Sequence, residues 1–78
     1  MKNKEEKINL QPSHVKVFNF IKVYIEKKIV SPELSEISKN VKLSTRQVHR
    51  LVDELVVLKF LSRDYHKKRS IKILKLLE

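Results

Sequence analysis

The 78-residue chain contains no glycine, alanine, cysteine or tryptophan and only two prolines. Without cysteine there is no disulfide framework, no thiolate zinc site and no cysteine nucleophile. No apolar run approaches the roughly 20 residues that cross a bilayer, and none has the form of a signal peptide, so a cytoplasmic location is expected. Paired carboxylates, a nucleophile–base arrangement and a Gly-rich phosphate loop are all missing, so enzymatic activity is not expected. His14, His49 and His66 share no ligand spacing, so no metal site is expected, and no cofactor or small-molecule ligand is evident. The lack of glycine and alanine, whose codons share G·C-rich doublets, reads as a base-composition effect. It still has a structural consequence, because turns that need positive φ must use Lys or Asn at some cost in strain.

What is present is positive charge. Eighteen Lys and Arg against nine Asp and Glu give +9, a balance that points to nucleic acid, anionic lipid or an acidic protein as partner. The excess is uneven: residues 31–43 and 44–58 are each neutral, whereas 59–78 carry +5. The length is that of one domain with an economical core.

Residues 1–9 are polar and aperiodic and read as a flexible N-terminal tail, leaving 10–78 as the folded domain. Pro12 suits a first helical turn. From there to about Lys28, Val17, Phe18, Phe20, Ile21, Tyr24 and Ile25 share one face at helical spacing. Ile29-Val30, before Ser31-Pro32, has the composition of a short strand. Leu34, Ile37 and Val41 mark a short second helix, whose N-cap could be Ser31 or, with Glu36 three residues on, Glu33. Ser44-Thr45-Arg46-Gln47 has the form of a capping box, and Val48, Leu51, Val52, Leu55 and Leu58 trace the buried stripe of a third helix, 44–58. Residues 60–64 and 70–74 then read as two strands joined by a basic loop, Tyr65-His66-Lys67-Lys68-Arg69. The expected fold class is therefore α+β, with three helices, a short strand and a C-terminal β-hairpin.

This order of elements is that of a winged helix-turn-helix. The stretch LSEISKNVKLSTRQVHRLVDELVVLKFLSRD, residues 34–64, resembles the winged-helix domains of IclR- and MarR-type bacterial regulators. LQPSHVKVFNFIKVYI, residues 10–25, is similar to the opening helix of LexA-type DNA-binding domains. The chain departs from those patterns where Lys42 and Lys59 replace glycine and Gln11 replaces threonine. The resemblance implies double-stranded DNA as partner, with the third helix in the major groove and the 64–69 loop as a wing on the phosphate backbone.

The residues it assigns to the groove, Thr45, Arg46, Gln47, His49 and Arg50, are also the polar ones left opposite Val48, Leu51 and Leu55, and Ser44 with the helix N-terminus can hold a phosphate. Arg reaches guanine and Gln adenine through paired donors and acceptors. The wing set is Arg63, Tyr65, Lys67, Lys68 and Arg69. Lysine outnumbers arginine fourteen to four, yet every arginine lies between 46 and 69, where a planar bidentate donor would matter. Tyr65 could lie on a sugar–phosphate backbone or cover its own sheet, and the Lys67-Lys68-Arg69 run could be a solvated loop.

The expected function is sequence-specific DNA binding by a small transcriptional regulator. The alternatives are a replication-initiation domain of a plasmid or phage, or a winged helix used as a protein–protein module. Against DNA stands the neutrality of 44–58, where Asp53 and Glu54 offset Arg46 and Arg50. RNA is disfavoured by the lack of an aromatic platform. Val15 and Val23 fall on the polar side of helix 1, eight residues and about 12 Å apart along the axis, and are the expected contact of a homodimer, with Val57 of the third helix as a competing one.

Overall fold

A computed structural model describes residues 8–77. Their elements are α1 (Pro12–Lys28), α2 (Leu34–Val41), α3 (Thr45–Val57), β1 (Leu61–Ser62) and β2 (Lys72–Ile73). The result is a small α+β fold of three helices and a two-stranded antiparallel hairpin. All but the last two residues of the expected N-terminal tail lie outside the described residues. Among the described residues, no helix is long and apolar enough to cross a membrane.

The apolar spacings become one core. Val17, Phe18 and Ile21 of α1, Ile37 and Val41 of α2, and Val48, Leu51, Val52 and Leu55 of α3 are all buried, joined by Leu61 and Ile71 from the hairpin. Burying side chains of this size contributes about 1.5–3 kcal/mol each. Phe60 meets Phe18 edge-on, with ring centroids 6.4 Å apart, so the residue leading into β1 is anchored on α1.

Each helix starts on a local cap. Pro12 opens α1, where its missing N–H costs nothing. Of the two frames open for α2, the Glu33–Glu36 box is the one formed, with Glu33 N–H donating to Glu36 Oε1 at 2.8 Å. Ser44 caps α3 as its sequence suggests.

The helices end without glycine. Ile29, Lys42 and Lys59, one after each helix, have φ of 61°, 60° and 68°. After α3, Lys59 N–H donates to Val56 O and Phe60 N–H to Leu55 O, both at 3.0 Å. This is the paired Schellman closure normally built on glycine.

Two expectations are corrected. Ile29-Val30 forms no strand: α1 runs through Lys28, and Ile29 turns left-handed to close it, its N–H on Ile25 O at 2.9 Å. A left-handed residue cannot be extended, so the pair is left exposed. The hairpin strands are also shorter than 60–64 and 70–74, because side-chain bonds replace the ladder at the loop end. There, Ser70 Oγ accepts from Asp64 N–H and donates to Asp64 O.

Lysine in the left-handed region costs more than glycine would, by up to about 1 kcal/mol once glycine's own entropy is counted. Lys42→Gly and Lys59→Gly should each therefore raise the thermal midpoint or leave it level. A fall on both, measured by circular dichroism, would overturn the strain account.

Candidate nucleic-acid interface

The exposed face of α3 carries Thr45, Arg46, His49 and Arg50, opposite the buried Val48, Leu51, Val52 and Leu55. Ser44 and Gln47 sit at its N-terminal end but are occupied with each other. Gln47 N–H donates to Ser44 Oγ at 3.1 Å, and Gln47 Oε1 accepts from Ser44 N–H at 3.0 Å and from the hydroxyl at 3.1 Å. Reading adenine takes both the oxygen and the nitrogen of an amide. With its oxygen held in the cap, Gln47 is a capping residue first, and Arg46, His49 and Arg50 are left as the long polar side chains facing solvent.

The carboxylates of α3 face other partners. Glu54 Oε1 receives the buried His14 Nε2 at 2.7 Å, and only its second oxygen meets Arg50, at 3.5 Å. Arg50 is 61% exposed, and an ion pair of that kind is worth little. Asp53 takes the Tyr65 hydroxyl at 2.8 Å, His49 Nδ1 at 3.0 Å and Arg63 Nη1 at 3.7 Å. Arg46 has no hydrogen-bond or ion-pair partner among the described residues. The helix is neutral by composition, yet its free end is cationic.

The Asp53–Tyr65 bond also holds the hairpin loop beside the middle of α3. Burial, then the bond to Asp53, push the Tyr65 phenol above its ordinary pKa. The Arg63 guanidinium lies 4.4 Å from the Tyr65 ring centroid, its side chain only 11% exposed. Its buried Nη1 makes no hydrogen bond. Tyr65 thus reaches across to α3 with its hydroxyl and lays its ring against Arg63, which is an internal brace. Asp64 closes the loop by accepting from His66 N–H on Oδ1 and from Lys67 N–H on its carbonyl. His66, Lys67 and Lys68 remain exposed at the tip.

Arg69 has a different place from its neighbours. Its guanidinium grips Glu36 through both nitrogens, at 2.9 and 3.2 Å, and reaches Ser31 O at 3.0 Å, Tyr24 OH at 3.2 Å and Glu33 Oε2 at 3.1 Å. One side chain ties the hairpin to α1, to the segment before α2 and to the cap of α2. The Glu33 N–H and then Arg69 hold the Glu36 carboxyl below its ordinary value, and Glu36 holds the guanidinium protonated more firmly than usual. Grouped by sequence with the cations of the tip, Arg69 is spent on the fold.

His14 escaped sequence reasoning. Its Nδ1 accepts from Gln11 N–H at 3.0 Å, which leaves Nε2 as the donor to Glu54. The signal was Gln11-x-x-His14, a capping spacing with unusual residues. Val15 and Val23 are exposed, as their helical positions require. Among the described residues, no group of three or more His, Cys, Asp or Glu could hold a metal ion.

A depressed carboxyl stabilises the fold fully above its unfolded value, near 4.5, and loses that contribution as pH falls through the lower folded value. The stability difference between the native chain and Glu36→Gln should therefore be constant at neutral pH and shrink in acid. Paired urea melts from pH 7 down to pH 3 measure it; a gap that widens in acid would contradict the sign. Compared with known proteins, the chain matches no family model and no curated sequence.

Proposed function

We propose that this protein binds double-stranded DNA sequence-specifically, as a small transcriptional regulator of winged-helix type. In this reading α3 enters the major groove and the tip of the 64–69 loop lies on the phosphate backbone. The observation that carries it is the partition of charge on α3. Asp53 and Glu54 are held by Tyr65, Arg63 and His14, their second oxygens meet His49 and, more weakly, Arg50, and Arg46 near the N-terminal end faces solvent, unpaired among the described residues. The charge of α3 is thereby uneven along the helix, with its unpaired cation, Arg46, toward the N-terminal end. Lys67 and Lys68, exposed on a loop pinned beside α3, supply phosphate contacts. Arg46 and Arg50 supply base contacts. Arg69 supplies neither, because a phosphate could draw it away only by breaking its bonds to Glu33, Glu36, Ser31 and Tyr24.

Selection of bound sequences from random duplex DNA tests the reading, and an enriched motif is the expected result. Arg46→Ala or Arg50→Ala should relax preference at particular base pairs, by about 1–3 kcal/mol each. Lys67→Gln with Lys68→Gln should weaken binding to all sequences and flatten the salt dependence, by roughly 0.9 in log–log slope for each phosphate that is no longer neutralised. Unchanged affinity and slope in the double variant would remove the loop from the interface.

The same reading calls for a pair, since one recognition helix reads only a short half-site. Val15 and Val23, 42% and 44% exposed on α1, are the proposed homodimer contact. Sedimentation should show a dimer that Val15→Glu with Val23→Glu converts to monomer. A monomeric native chain would end the dimer proposal, and a dimer indifferent to both charges would move the contact elsewhere.

A further inference from the structure

The unformed strand at Ile29-Val30 leaves one side of the hairpin open. Leu61 pairs with Ile73 and Ser62 with Lys72, and Leu74 N–H donates to Phe60 O at 2.8 Å. Backbone groups alternate sides along an antiparallel strand. Lys72 and Leu74 therefore turn theirs toward β1, and Ile73 turns its N–H and C=O outward. Ile71 points the same way, and its N–H is met by Ser31 Oγ at 3.0 Å, a single side-chain bond where a third strand would have supplied a ladder.

An apolar groove lies along this edge, lined by Ile25, Ile29, Val30, Ile71 and Ile73. Ile29 is its least ordinary member. At the other two left-handed positions the chain uses lysine, whereas here it places a β-branched residue at φ 61° and leaves it 85% exposed. That combination is unfavourable both for the backbone and for hydration. A covering strand would bury the side chain and recover part of that cost. Val30, 49% exposed, would be covered with it.

We propose that the β2 edge and this groove dock an extended segment of a partner protein, with apolar and acidic residues alternating, which adds as a third strand. Strand addition of this kind draws affinity from main-chain bonds and specificity from alternate side chains. The charge at the groove selects the chemistry: Lys72 lines it and, among the described residues, no carboxylate does, while Arg69, also in the lining, is already matched by Glu33 and Glu36. It also argues against a second copy. Pairing two such edges would bring Lys72 against its own counterpart on chains that each carry +9, and lysine on an edge strand acts against self-pairing.

The test uses the full chain without DNA, so its outcome is separate from that of the DNA reading. The probe is a fluorescein-labelled hexapeptide of alternating valine and glutamate. Anisotropy should report binding, and the Ile73 amide should gain protection from hydrogen exchange. The valine–lysine peptide should bind at least about tenfold more weakly. Ile29→Asn should cost about tenfold in affinity, the worth of one buried branched side chain. It should do so while holding or raising the melting temperature, since Asn tolerates positive φ. Equal binding of the two peptides, indifference to Ile29→Asn, or Ile73 protection that appears on concentrating the protein alone would each overturn the proposal.

Discussion

α1, α2 and β1 all pack against α3, and the stripe Val48, Leu51, Val52 and Leu55 is the surface they share. A helix used in this way has one face left. Its sequence must therefore carry both the core of the domain and whatever the domain shows to a partner, within 13 residues. The regular alternation of buried and exposed positions along Thr45–Val57 follows from that constraint.

The same constraint explains where the carboxylates go. Asp53 and Glu54 lie toward the C-terminal half of α3, where a negative charge meets the unfavourable end of the helix dipole. Each is held by a group from elsewhere: Glu54 by a hydrogen bond from His14 of α1, Asp53 by the Tyr65 hydroxyl and the Arg63 guanidinium of the hairpin. These bonds fix the positions of α1 and the loop relative to α3. They also leave the cations of the N-terminal half without strong internal partners, which is the electrostatic condition for binding an anion there.

Arg69 does for the hairpin what those bonds do for the loop. A two-stranded hairpin of this length is marginal by itself. Here one guanidinium satisfied by two carboxylates, a carbonyl and a phenol fastens it to the helices. Planar, bidentate geometry makes arginine the residue for that task, so the clustering of the arginines between 46 and 69 has two causes. Arg63 and Arg69 serve the structure; Arg46 and Arg50 face outward.

The features legible from residue order alone are local. The three helices, their apolar faces, the Ser44–Gln47 cap and the hairpin all depend on residues three or four apart or on simple alternation, and the exposure of Arg46 and Arg50 follows from the same count. Lys42 and Lys59 were legible as left-handed positions because they stand where the winged-helix pattern that the chain resembles places glycine. The strand expected at Ile29-Val30 failed because composition alone does not reveal that α1 continues to Lys28 and needs a left-handed residue next. Arg69, Tyr65 and His14 were illegible for a different reason. Their partners Glu36, Asp53 and Glu54 lie 33, 12 and 40 residues away, and side-chain pairs so far apart in the chain leave no periodicity behind. Only when the core brings α1, α2, α3 and the hairpin together does it become settled which cations are neutralised within the fold and which remain on its surface.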